Sequence, residues 1–133
     1  MKTIRFLLLA LLGVCGAAQA ASMDDAACTK LAALKLEHGE IVSAEVVSSG
    51  PRMFKMMLFG GIPWVSLPES CRVAGIARPS ADSEIRFEVW LPTSGWNGKF
   101  HGLGGGGLDG VIPYMQMSQA LIKGYATAAT DSG

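Results

Sequence analysis

Strong charge of either sign is missing from this sequence: eleven Lys and Arg balance eleven Asp and Glu, and no basic stretch recurs. Nothing in that pattern points to nucleic acid or an anionic surface as a partner. Histidine is scarce too. The two present, His38 and His101, stand at no recognised metal-ligand spacing, which leaves no metal site to read from the residues. Long apolar runs are also lacking. Phe6–Val14 is about half the length of a bilayer-spanning helix, which needs roughly 20 residues, so a retained membrane anchor is not expected. There is no internal repeat, no low-complexity tract and no charged linker.

What is present begins at the N-terminus. Lys2 and Arg5 give a short positive start, Phe6–Val14 an apolar run, and Ala18-Gln19-Ala20 the small residues a signal peptidase reads. Residues 1–20 are therefore expected to be a signal peptide cleaved after Ala20, which makes the chain secreted or periplasmic. Val14 is a poor residue just before a lipidated cysteine, which argues against a lipoprotein anchor at Cys15. Residues 21–133 then form one small domain. That domain keeps two cysteines, Cys28 and Cys71. An even count in an oxidising compartment reads as a disulfide, with two buried free thiols as the alternative.

Ser22 and Asp25 open a short helix whose pattern continues through Leu31, Leu34 and Lys35, with Gly39 just past its exit. Ile41–Val47 is rich in β-branched residues and reads as a strand, and Ser48-Ser49-Gly50-Pro51 as a turn. Met53–Phe59 has no clear period. Cys71–Ala77 is a plausible strand. In the next, Ile85, Phe87, Val89 and Leu91 alternate with Glu84, Arg86, Glu88 and Trp90, a period of two that buries one face and leaves the other open. Trp96-Asn97-Gly98-Lys99 is a turn into Phe100–Leu103. After Gly104–Gly107 and Asp109-Gly110, a helix runs through Tyr114, Met117, Ser118, Leu121 and Ile122 to Gly124, and Tyr125–Thr130 forms a strand. Strand, glycine loop, helix and strand make a βαβ unit with two parallel strands. Parallel sheets are normally covered on both faces, so this one looks cut, with Tyr125–Thr130 left unpaired on one side.

Four consecutive glycines weaken regular structure and imply close backbone approach to something. Three readings stand. In one, backbone amides of the loop line an oxyanion hole. In another, Gly102-x-Gly104-x-x-Gly107 is a dinucleotide fingerprint, with Asp131 at the end of the following strand as the ribose-binding acid. In the last, the loop is a flexible turn. His101 precedes the glycines but lacks a nucleophile and an orienting acid beside it in sequence, His38 reads as solvated, and Trp90 and Trp96 read as sheet packing more than as an aromatic subsite. Asp131-Ser132-Gly133 resembles part of a nucleophile elbow, yet Thr130 stands where G-x-S-x-G needs its first glycine. No complete elbow occurs in the chain.

Taken in order, Cys71-Arg72-Val73-Ala74-Gly75, Ile85–Pro92, Trp96-Asn97-Gly98-Lys99-Phe100, Gly104–Gly107, Gly124-Tyr125-Ala126 and Thr130–Gly133 resemble the opening of the tannase and feruloyl esterase family. The resemblance implies an α/β class: an incomplete α/β-hydrolase-type sheet of N-terminal strands plus one βαβ unit, with residues 21–133 the N-terminal part of a catalytic domain. It implies a serine carboxylic ester hydrolase of aromatic acyl esters, feruloyl or galloyl. The Ser-His-Asp triad and a lid that often holds calcium are then expected downstream, so that this stretch stops before its nucleophile and holds no cofactor. It further implies that Cys28 and Cys71 form an N-terminal disulfide and that amides near Gly105 and Gly106 serve the oxyanion. The family's loop usually carries Asn where Gly105 stands. The rival from another class is a complete, non-catalytic exported binding domain. A dinucleotide-dependent oxidoreductase comes third.

Overall fold

The computed structural model describes residues 22–53, 64–105 and 110–132. The expected signal peptide, most of the unassigned Met53–Phe59 stretch, and Gly106, Gly107 and Asp109 lie outside these residues.

Helix α1 (Asp25–Lys30) is capped by Asp24, whose carboxylate accepts from the Ala27 amide at 2.6 Å. Asp25 in the first turn and Lys30 in the last match the helix dipole. A single 3-10 turn, Leu31–Ala33, follows, and Leu34 is already extended. The helix expected to run on to Lys35 therefore stops short. Lys35–Leu36 is instead a two-residue strand, β1, folded back on β2 (Gly39–Val47) through Lys35↔Glu40 and Leu36↔Gly39. Pairing with β2 satisfies backbone groups that one more turn of a short exposed helix would leave open.

The remaining elements are β3 (Gly50–Met53), β4 (Trp64–Leu67), β5 (Ser70–Ala77), β6 (Ile85–Pro92), β7 (Phe100–Leu103), α2 (Tyr114–Ile122) and β8 (Ala126–Thr130). Strands β3 and β4 form a separate antiparallel pair, while the main sheet has the order β1-β2-β5-β6-β8-β7. Every neighbouring pair in it is antiparallel except β7 and β8, which run parallel, joined by α2 as the expected βαβ unit. Gly124 ends α2 with φ +78°, the left-handed turn that favours glycine. The expectation that the last strand is left with an open side is corrected. β8 lies between β6 and β7, and it is β7 that stands at the margin. The correction follows from β6, whose antiparallel pairing with β8 (Val89↔Ala128, Trp90↔Thr127) fills the side that the βαβ unit alone leaves vacant.

Each face of the sheet has its own core. On one, Cys28 of α1 meets Ala44, Cys71 and Val73, with Leu31, Val89 and Leu91 packed around them. Cys28 and Cys71 are joined there as a disulfide, their Cα atoms 5.7 Å apart. On the other, Met117 and Leu121 of α2 pack on Leu67, Trp90 and Ala129. Strand β6 departs from the expected alternation. Glu88 and Trp90 are 3% and 5% exposed, whereas Phe87, Val89 and Leu91 are only partly buried. The charged face is covered because α2 lies over it and because Glu88 finds partners there.

Candidate active-site loop

The glycine run begins where β7 ends. Gly104 and Gly105 leave the carboxyl end of β7, beside the carboxyl end of its parallel neighbour β8. In open α/β sheets, ligands gather outside such strand ends. Gly105 lies against Ser132: a Cβ added to it would sit 3.5 Å from the Ser132 hydroxyl oxygen. On the loop's return, Gly110 (φ +53°) lies beside the Asp131 carbonyl, 3.8 Å from where its Cβ would be. Both described flanks of the loop therefore run past the exit of β8, near enough that a side chain on either would reach it.

That exit is itself fastened. The Asp131 amide donates to the Arg86 carbonyl at 3.0 Å, and the Arg86 amide donates to Asp131 Oδ1 at 2.8 Å. The residue of the dinucleotide reading is thus engaged with the backbone at the head of β6. Ser132 follows with φ +67°, an uncommon conformation for a residue with a side chain, and its amide donates to Thr130 Oγ1 at 3.2 Å.

A polar cluster holds the start of α2. Glu88 accepts from Arg72 through Nε at 2.8 Å and Nη2 at 2.5 Å, from Trp90 Nε1 at 2.7 Å and from the Tyr114 hydroxyl at 2.8 Å. Burial pushes the Glu88 carboxyl up, but the donors from Arg72, Trp90 and Tyr114 outweigh it and hold the group below the usual glutamate range. The Glu88 carboxylate in turn raises the Arg72 guanidinium above its already high value, against the effect of burial. Burial, then the bond to Glu88, pushes the Tyr114 phenol up. Tyr114 also stacks on Trp90, ring centroids 6.0 Å apart. Since Tyr114 is the first residue of α2, this cluster fixes the point at which the loop becomes helix.

Trp90 is a packing residue of the α2 face. Trp96 is half-exposed, its indole donating to the Lys99 carbonyl at 3.0 Å. His101 is exposed and faces Tyr125 at 6.0 Å, and His38 is exposed with Glu37 at 3.8 Å. The His101 carbonyl accepts from the Thr127 hydroxyl at 2.9 Å. Among the described residues no group of three His, Cys, Asp or Glu side chains is placed to hold a metal ion. The Arg72–Glu88–Tyr114 cluster escapes a strand-by-strand reading. A hairpin reading of β5 and β6 brings Arg72 opposite Trp90 and diagonal to Glu88, which is the signal that reaches it.

Residues 71–133 match the family model described as tannase and feruloyl esterase. An esterase of Xanthomonas campestris pv. campestris, itself described as uncharacterized, is 41% identical over 126 residues, 95% of this chain and 21% of the relative. A probable feruloyl esterase B-2 of Aspergillus flavus is 38% identical over 63 residues, 47% of this chain and 12% of the relative. Among solved structures, feruloyl esterase B from Aspergillus oryzae superposes with a TM-score of 0.65 at 30% identity, over 80% of this chain and 21% of its own. An esterase from the same organism gives 0.67, also at 30%, over 82% and 22%. The chain spans about a fifth of the Xanthomonas relative and of both solved chains. The fold is accordingly that of part of an α/β-hydrolase-type esterase.

Proposed function

We propose that the protein carrying this chain is an exported carboxylic ester hydrolase of aromatic acyl esters, a member of the tannase and feruloyl esterase family whose model residues 71–133 match. The observation that carries the reading is the position of the glycine loop, leaving β7 beside the end of parallel β8 with Gly105 against Ser132. Amides of such a loop can donate to the oxyanion of a tetrahedral intermediate without reorganising as charge develops. We assign that task to Gly105 and to Gly106 next to it in sequence. A serine attacks the ester carbonyl, a histidine carries its proton to the leaving alcohol, and an acid orients the histidine. The reading assigns this trio, and an inserted lid with any calcium it holds, to parts of the protein outside these 133 residues. The substrate class, feruloyl or galloyl esters, comes from the relatives' names and the family.

Export rests on Lys2, Arg5, Phe6–Val14 and Ala18-Gln19-Ala20. The Cys28–Cys71 bond supports it, because such bonds persist in oxidising compartments. Among the described residues no helix is long and apolar enough to cross a membrane.

The test is to read the gene beyond the codon for Gly133, express the full-length protein, and assay methyl ferulate and methyl gallate. Saturable hydrolysis of one of these by the full-length protein is expected, with none by residues 21–133 alone, since oxyanion donors without a nucleophile supply only a fraction of the catalysis. The exported form should begin at Ala21 on N-terminal sequencing. A full-length protein without ester hydrolysis, or one that binds a dinucleotide tightly, sinks the reading.

A further inference from the structure

Asp131 lies within the matched region, yet its carboxylate takes no part in the chemistry assigned above. One of its oxygens, Oδ1, is engaged with the backbone. One residue supplies both an amide donor to the Arg86 carbonyl and a carboxylate oxygen that accepts from the Arg86 amide. These two bonds lie just beyond the last ladder pair between β6 and β8, Phe87↔Thr130. They extend the grip of β6 on β8 by one step, at the point where the chain turns through the positive φ of Ser132. Without them, the last residue of β8 would be free to splay at the end that both flanks of the glycine loop pass. A Cβ on Gly105 would sit 3.5 Å from the Ser132 hydroxyl oxygen there, and one on Gly110 3.8 Å from the Asp131 carbonyl.

We propose that Asp131 is a positioning residue for the glycine loop: by fastening the exit of β8 to Arg86, it sets the floor against which Gly105 and Gly110 are held. The proposal rests on the esterase reading for its kinetic consequence, and not for its structural one. What matters is an acceptor oxygen at the Oδ1 position, not the negative charge. Asn supplies such an oxygen. Ala supplies none, and Ser has its oxygen one bond nearer the backbone, too short to reach the Arg86 amide.

The experiment compares Asp131→Ala, Asp131→Ser and Asp131→Asn in the full-length protein, with two readouts. The first is amide hydrogen exchange at Gly104, Gly105 and Gly110. The second is the steady-state hydrolysis of methyl ferulate or methyl gallate. In the Ala and Ser variants the loop amides should exchange faster, and kcat should fall on the order of 10- to 100-fold with KM little changed, as for a small misplacement of reacting groups. Asp131→Asn should restore both readouts to near the parent values. Should the Ala variant fail to fold, the Ser and Asn pair carries the comparison. Unchanged exchange and kcat in the Ser variant overturn the proposal. So does an Asn variant as impaired as Ser, because charge would then be the operative property. If the parent protein hydrolyses no ester, the proposed function fails, while the exchange data still decide whether Asp131 holds the loop.

Discussion

At Glu88, burial and hydrogen bonding act in opposite directions on one carboxylate, and the bonds prevail. A buried charge is tolerated only when it is paired and its lone pairs are used. Here Arg72, Trp90 and Tyr114 together supply four donors. Removing the partner is therefore costly: Glu88→Ala would leave the Arg72 guanidinium only Glu45, at 3.7 Å, as counter-charge, and because Arg72 is partly solvated the loss should fall below the roughly 3–5 kcal/mol of a fully buried pair. The pH dependence follows from the direction of the shift. Because the folded state holds Glu88 below the ordinary glutamate value of about 4.3, the associated stability is fully present above that value. It is lost as the pH falls through the lower folded value. Thermal melts of parent and Glu88→Gln from pH 7 downward should show a gap in Tm that is constant above about pH 5 and closes in stronger acid. A gap that persists undiminished at low pH would contradict the charge-based account. None of this was legible along β6 alone, where Glu88 occupies a position that alternation gives to solvent. The missing information is the register with β5, which sets Arg72 diagonal to Glu88, and the helix that covers both.

The elements themselves were read with most success where the chain marks its own ends. Gly98 (φ +78°) and Gly124 (φ +78°) bracket β7 and α2 in the left-handed conformation, so the strand–loop–helix–strand unit is visible in the sequence. Helix α1 ends sooner than its sequence pattern suggests, because its end is set by β2 and not by a local stop signal. Six residues are too few to hold a helix in isolation, and α1 depends on its attachment. Cys28 sits at its centre, fully buried, bonded to Cys71 of β5 across a sequence separation of 43. In the chain-entropy account a loop of that size contributes about 4 kcal/mol. Replacing both cysteines by serine should lower stability by about that amount. It should also speed exchange first at the Cys28-position amide, which donates to the Asp24 carbonyl at 3.0 Å, while amides of β8 remain protected. An unchanged melt would mean that Leu31, Ala44 and Val73 hold α1 without the bond.

The sheet as a whole ends differently at its two margins, and strand order is what the sequence conveyed least. β2 pairs with β5 across the intervening β3–β4 hairpin, and β6 pairs with β8 across β7 and α2. No local pattern encodes a partner at that remove, which is why the sequence points to β8 as the open margin while β7 occupies it. The opposite margin is blunted: β1 is two residues long and opens with Lys35, devices that discourage edge pairing. β7 has no such protection among the described residues. It is four residues long, pairs only with β8, and opens with Phe100 at 62% exposure. Beside it runs a groove of about 360 Å³ in which Phe100, Leu103 and Tyr125 alternate with the polar Gln116, Gln119 and Lys123. An unpaired strand edge headed by an exposed aromatic is a template for another chain. Residues 21–133 expressed alone should therefore self-associate with rising concentration in sedimentation or size-exclusion experiments. Phe100→Lys, which places on β7 the residue type that guards β1, should shift the population toward monomer without lowering Tm. Equal association by the two proteins would show that the contact lies elsewhere on the surface, and a fully monomeric parent would show that a short edge with one exposed aromatic is not enough to drive it.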